Sequence, residues 1–160
     1  LGFAEQLAAL SIEIKSLDAQ LLAWHRQSAL SQRLQTIPGV GVLTATAMAA
    51  SIPDATLFRS GRQFAAFLGL VPKQNSSGGK ERLGRISKMG DPYLRTLLVN
   101  GATSVVRRIA QAEGQTAIWI RRLLEKKPTR LATVAIANKT ARIVWAVMVR
   151  GEEYRRPAMG

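Results

Sequence analysis

Pro72-Lys-Gln-Asn-Ser-Ser-Gly-Gly-Lys-Glu-Arg-Leu-Gly-Arg-Ile-Ser-Lys-Met-Gly-Asp91 interrupts a chain that is otherwise patterned at helical spacing. With four glycines and mostly polar side chains, it contributes little to a core and reads as a basic, Gly/Ser-rich loop between helices. Ser76 and Ser77 stand beside the Gly78-Gly79 pair and are followed by Lys80, Arg82, Arg85 and Lys88, opposed only by Glu81. Hydroxyls placed in a field of fixed positive charge suit an anionic partner, phosphate first.

Both flanks of this loop carry helix-start signals. Ser60-Gly61-Arg62-Gln63 has the form of a capping box and opens a short helix with Phe64, Phe67 and Leu68, ended by Gly69. Asp91-Pro92 places an N-cap and a first-turn proline before a helix with Leu94, Leu97, Leu98, Gly101, Val105 and Ile109 on one face. The ends of the loop are thereby fixed while its middle is expected to move. Further on, residues 115–125 read as a helix with Ile118, Leu123 and Leu124, closed by Lys126-Lys127-Pro128. A last helix from about Arg130 to Arg150 carries Leu131, Val134, Ala135, Ala141, Val144, Trp145 and Met148 at three- and four-residue spacing. It is the expected centre of the core, and the charged tail 151–160 is expected to fray.

At the front, Phe3, Leu7, Leu10, Ile14, Leu17, Leu21 and Trp24 fall on one seam with the 3.5-residue repeat of a coiled coil. Periodicity leaves two partners open for that seam: the chain's own core, or a second chain. His25 lies off the seam and reads as a solvated or edge residue without chemistry. Next, Thr36-Ile-Pro-Gly-Val-Gly41 precedes the small-residue apolar run 42–50. A tight glycine turn there would expose backbone amides at the positive end of a helix, with Gly39 and Gly41 holding a phosphate as in helix-hairpin-helix modules. The alternative is a glycine turn that lets two helices pack closely. No segment alternates apolar and polar residues, so the expected fold is all-α. It comprises a coiled-coil-like helix over 1–35, a compact helical domain over 36–150 and the tail.

Composition narrows the function. The 160 residues are 47% hydrophobic, enough for one domain with a core, and carry a formal net charge of +13. Residues 1–58 hold only Lys15, Arg26 and Arg33 among the cations, so the basic surface belongs to the remainder. Such a balance favours nucleic acid as partner. Without cysteine and with His25 alone, disulfides, thiolate zinc, histidine clusters and a Ser-His-Asp triad are excluded within the chain. Carboxylates are scattered, so no metal site is expected. The Walker phosphate loop fails around Gly79-Lys80, where Gln74 and Glu81 occupy required positions. No apolar run reaches the ~18 residues of a membrane span and no signal peptide opens the chain, which makes a cytoplasmic protein the expectation. The chain begins at Leu1 inside a helical pattern, so it is expected to be part of something longer.

Four stretches together carry a resemblance: Ile37-Pro-Gly-Val-Gly41, Phe64-Ala-Ala-Phe-Leu-Gly-Leu-Val-Pro72, the loop from Asn75 to Asp91, and Tyr93-Leu-Arg-Thr-Leu-Leu98. Over about residues 36–110 the chain resembles the C-terminal part of transposases of the insertion-sequence 110/116/902 family. The resemblance implies a DNA recombinase that uses a serine of this domain as nucleophile. It also implies an N-terminal RuvC-like domain with acidic residues and Mg²⁺, and a bridge RNA that specifies the DNA partners. Ser77, the serine that precedes glycine, takes the nucleophile's position, with Ser76 as second choice. Arg82, Arg85 and Lys88 would neutralise phosphoryl charge, and Lys80 beside them would bind nucleic acid. Arg95, Arg107, Arg108, Arg121 and Arg122 would contact a nucleic-acid backbone. The front helix resembles the family's coiled coil, which implies a homo-oligomer. The acidic quartet has no counterpart here, so the chain itself is expected to hold no cofactor and to be inactive alone. Two other functions remain in view, a non-catalytic helix-hairpin-helix module that tethers DNA or RNA, and a basic RNA-binding structural protein.

Overall fold

The computed structural model describes the backbone of residues 2–77 and 80–155, and their side chains outside 74–84. Helices α1 (Phe3–Gln27), α2 (Ala29–Gln35), α3 (Val42–Ser51) and α4 (Gly61–Phe67) precede an antiparallel hairpin of β1 (Pro72–Ser77) and β2 (Lys80–Ile86). Helices α5 (Pro92–Arg107), α6 (Gln115–Lys126) and α7 (Thr129–Arg150) follow. The fold is all-α, with one small hairpin set between α4 and α5.

Local chemistry sets the helix ends. Ser60 Oγ accepts the Gln63 N–H at 3.2 Å, while Gln63 Oε1 accepts from Arg59 N–H at 2.6 Å, one residue ahead of the expected box partner. Asp91 Oδ1 accepts from the Tyr93 and Leu94 amides at 2.7 and 3.1 Å, with Pro92 at the first helical position. Gly69, at φ +71°, turns the chain out of α4.

The centre of the bundle is α7, against which α2, α4, α5 and α6 all pack. Its buried stripe is Ala132, Ile136, Ala137, Ala141, Val144 and Val147. It shares Ala141 and Val144 with the expected stripe and departs from it elsewhere: Leu131 is 54% exposed, while Ala132 and Ala137 are fully buried at the crowded centre. Phe64 of α4 is fully buried, edge-on to Phe58 at 5.1 Å, a burial worth roughly 1.5–3 kcal/mol. Among the described residues α7 is the one helix long and apolar enough to cross a membrane, and its apolar face forms this core.

The helix expected over 1–35 is two helices. The break falls at Ser28, whose Oγ caps α2 by accepting the Ser31 N–H at 3.2 Å. Residues 3–20 of α1 are exposed throughout, so the apolar seam is not covered by the chain's own core. Only the far end of α1 is anchored. There His25, 5% exposed, places Nδ1 2.7 Å from Ser31 Oγ and Nε2 2.8 Å from Gln35 Oε1. The expectation of a solvated His25 is therefore corrected: its two ring nitrogens find side-chain partners on α2, which makes burial affordable.

The hairpin replaces the expected loop. Ser77 pairs with Lys80, Ser76 with Glu81, Asn75 with Arg82 and Gln74 with Leu83, and the register shifts between Pro72 and Gln74. Its strands lack apolar alternation, which is why periodicity does not find them. A Gly-Gly pair between two strands is nonetheless a hairpin signal that the sequence carries. The beginning of the tail is also tied down. Gly151 O accepts from Arg33 Nη1 at 2.5 Å, and the Tyr154 N–H donates to Thr36 Oγ1 at 3.0 Å. Residues 156–160 lie outside the described residues.

Candidate nucleic-acid interface

The basic hairpin stands on a root assembled from three helices. Gly69, after α4, and Gly90, before α5, lie so close that a Cβ on either would overlap backbone, Met89 O in the first case and Phe67 O in the second. Both have positive φ, so two separate reasons favour glycine there. Across this contact the Lys88 N–H donates to Gly69 O at 3.2 Å and the Ser87 N–H to Val71 O at 2.8 Å. Lys88 itself holds φ at +54°, a left-handed conformation that costs a non-glycine residue on the order of 1 kcal/mol. Arg95 Nη1 donates to Leu68 O at 3.1 Å and Met89 O at 3.5 Å, and Asn138 Nδ2 on α7 donates to Leu70 O at 3.0 Å.

From this root the backbone carries Ser76 and Ser77 to the end of β1, and Lys80 and Arg82 along β2. The side chains of these four residues lie outside the described ones. Arg85 and Lys88 are described and exposed. Arg95 is half-buried and occupied with backbone carbonyls, as is Arg121, whose Nη2 donates to Ile109 O at 3.1 Å and to Ala112 O. Of the cations expected to contact a nucleic-acid backbone, Arg107, Arg108 and Arg122 are the exposed ones. Among the described residues the only ion pair is Arg155–Glu152 at 3.9 Å, so the positive field is little compensated.

The glycine turn between α2 and α3 divides into two roles. Gly39, at φ +85°, packs against Gly101 of α5, where a Cβ on Gly101 would overlap Gly39 O. Gly39 therefore serves the close helix packing that was the alternative reading. Gly41 is exposed, is the N-cap of α3 without a side-chain cap, and has no atom within 4 Å of where its Cβ would stand. It leaves the first amides of α3 open. Among the described residues no three of His, Asp and Glu come together.

Sequence reasoning missed Asn138 because nothing local marks an asparagine in mid-helix as the partner of a carbonyl 68 residues away. It also passed over Lys139, whose Nζ sits 4.2 Å from the centre of the Trp119 ring.

Comparison with known proteins matches residues 31–117 to the Transposase IS116/IS110/IS902 family. The chain is 49% identical over 151 residues to a probable family 20 transposase of Pseudomonas aeruginosa, covering 94% of this chain and 45% of that protein. It is 44% identical over 153 residues to a putative transposase, y4pF/y4sB, of Sinorhizobium fredii, covering 95% and 40%. It is 48% identical over 124 residues to the transposase for insertion sequence element IS1111A of Coxiella burnetii, covering 78% and 34%. The chain thus spans less than half the length of these relatives. The matched residues run from α2 into α6 and include both the glycine turn and the basic hairpin, and on these grounds the chain belongs to the IS116/IS110/IS902 family of transposases.

Proposed function

We propose that the full-length protein carries out DNA transposition by site-specific recombination, with this chain as its DNA-binding C-terminal domain and Ser77 as the nucleophile. One observation supports the reading above the rest. Ser77 ends β1 beside the two glycines and is paired in register with Lys80, on a hairpin whose root is held by α4, α5 and α7. In the proposed step Ser77 Oγ attacks a DNA phosphorus. An ester P–O bond breaks, and the DNA oxygen leaves as a hydroxyl, carrying the proton that the serine gives up through solvent. The phosphoserine link keeps the bond energy, and attack by a hydroxyl of the partner DNA restores both the phosphodiester and Ser77. Lys80, Arg82, Arg85 and Lys88 neutralise the charge that develops on the phosphoryl oxygens.

The acidic residues and Mg²⁺ belong, in this proposal, to the part of the protein outside this chain, so the chain alone is inactive. A bridge RNA chooses the DNA partners, α1 joins copies of the protein as a coiled coil, and the reaction takes place in the cytoplasm on nucleoid DNA.

The test is to trap the full-length protein on a nicked suicide DNA substrate and map the adduct by mass spectrometry. The expected adduct is on Ser77, and Ser77→Ala is expected to abolish recombination while DNA binding persists. An adduct on any residue other than Ser77 or Ser76, or strand exchange that survives Ser77→Ala, overturns the mechanism. The open N-cap at Gly41 favours one second reading, a non-catalytic helix-hairpin-helix module that tethers DNA or RNA. Under it, Ser77→Ala changes little and Gly41 substitutions weaken binding.

A further inference from the structure

A cleft of about 1020 Å³ opens between α4, α6 and α7. Arg62 of α4, Trp119 of α6, and Lys139, Arg142 and Arg150 of α7 line it. None of these residues was singled out by the sequence reading of the site. Arg155 and two carboxylates, Glu152 and Glu153, also line the cleft, and Glu152 is already engaged by Arg155 at 3.9 Å. The balance is strongly positive.

The walls are built before any ligand arrives. Trp145 spends its indole N–H on Ala55 O at 3.1 Å and Phe58 O at 3.2 Å, which fixes its ring. Gly61 lies against the backbone of Arg142, where a Cβ would stand 3.1 Å from Arg142 O, so α4 and α7 cannot separate or slide without losing that contact. A preformed site loses less freedom on binding. Trp119 is partly buried and packs on the core, with Lys139 Nζ over its ring, 4.2 Å from the ring centre; that ammonium stands on a flexible stem, and its turning to a phosphate uncovers the indole face for a base. Bases in a duplex are stacked on one another and cannot reach such a surface. An unpaired strand can lay a base on an indole while its phosphates meet guanidinium groups.

We propose that this cleft holds an unpaired segment of nucleic acid, with phosphates at Arg62, Arg142 and Arg150 and a base against Trp119. The inference deepens the proposed function and rests on its premise that the protein works on nucleic acid, without depending on Ser77. Asn138 gives the cleft a direct link to the hairpin. Asn138 lines the cleft and its Nδ2 donates to Leu70 O, two residues ahead of β1, so the cleft adjoins the hairpin root.

The experiment measures binding of fluorescein-labelled oligo(dT) and oligo(U) to the chain by anisotropy across a salt series, with a blunt DNA duplex as competitor. Arg62→Gln with Arg142→Gln is expected to weaken binding about tenfold and to flatten the salt slope by about 0.7 per lost contact. Trp119→Leu is expected to weaken it about tenfold and to reduce the quenching of tryptophan fluorescence. Photocrosslinking of the unmutated chain with 5-iodouracil-substituted oligonucleotide is expected to label the peptide containing Trp119. This arm does not depend on how well a variant folds. Tighter binding of oligo(U) identifies an RNA loop as the source of the strand, and tighter binding of oligo(dT) a displaced DNA strand. Unchanged affinity in both variants, crosslinks confined to peptides outside the cleft, or displacement by duplex as effective as by single strand overturns the proposal. Loss of strand exchange in Ser77→Ala with normal oligonucleotide binding leaves the cleft standing, so the two proposals fail separately.

Discussion

Arg95 on α5 and Asn138 on α7 hold carbonyl oxygens two residues apart, Leu68 O at 3.1 Å and Leu70 O at 3.0 Å, where the chain leaves α4 for the hairpin. Each donor comes from a different helix, so the root of the hairpin is fixed from two sides. Leu68 and Leu70 are buried, and an unpaired carbonyl there costs about 1–3 kcal/mol. Asn138→Leu and Arg95→Met are each expected to lower unfolding free energy by about that amount in urea denaturation. They are also expected to speed hydrogen exchange at the Ser87 and Lys88 amides, which close the same root. Stability lost without faster exchange at those two amides would assign these side chains to the core alone.

Gly101 gives a test whose sign is opposite to the usual one. Replacing a mid-helix glycine with alanine ordinarily gains up to about 1 kcal/mol. At Gly101 the new methyl would overlap Gly39 O, so Gly101→Ala is expected to cost about 1–3 kcal/mol instead. Gly41→Ala, with open space around its Cβ and an extended backbone, is expected to change stability by less than about 1 kcal/mol. Thermal denaturation of the two variants side by side decides it. A stabilised Gly101→Ala would mean that α3 and α5 do not approach as closely as the Gly39–Gly101 contact requires.

What was legible in the sequence follows the range of the forces involved. The caps at Ser60 and Asp91 and the exit at Gly69 are interactions within a few residues, and the chain writes them in its own order. Leu94, Leu97 and Leu98 were legible too, because an amphipathic helix has only one face that suits a core. On α7 the same logic found Ala141 and Val144 but not Ala132, Ile136, Ala137 and Val147, since a helix packed by four others is buried on more than one narrow face. The hairpin escaped because it pairs polar strands through backbone hydrogen bonds, which leave no hydrophobic period. His25, Arg95 and Asn138 escaped because their partners are set by tertiary packing. Their residue types look the same in a solvated helix.

Asp54 supplies a pH dependence with a definite direction. Its Oδ1 accepts from the Thr56 hydroxyl at 2.6 Å and from the Thr56 N–H at 2.8 Å, and these bonds hold its pKa below the ordinary value of 3.8. A depressed folded-state pKa means that the ionised carboxylate stabilises the turn at 55–57. That contribution is complete above 3.8 and is lost as pH falls through the lower folded value. Asp54→Ala is expected to lower the melting temperature by an amount that stays constant at neutral pH and shrinks on acidification below 3.8. A gap that widens in acid would contradict it.

The apolar seam of α1 lies open along its length: Phe3 is 79% exposed, Leu10 55%, Ile14 58% and Leu17 57%. Each such side chain gains roughly 1.5–3 kcal/mol on full burial, and the seam keeps a 3.5-residue repeat that a second helix can meet along its length. Copies of the chain are therefore expected to associate through α1. Ile14→Glu combined with Leu10→Glu should shift sedimentation equilibrium to the monomer and reduce helical circular dichroism, because α1 has so few tertiary contacts of its own. His25→Ala is the informative companion. It removes the anchor of α1 on α2 without touching the seam, so association is expected to persist while the melting temperature falls. If both variants sediment like the parent chain, the seam does not join copies; if both become monomeric, it is the placement of α1 on the domain, rather than its apolar stripe, that controls association.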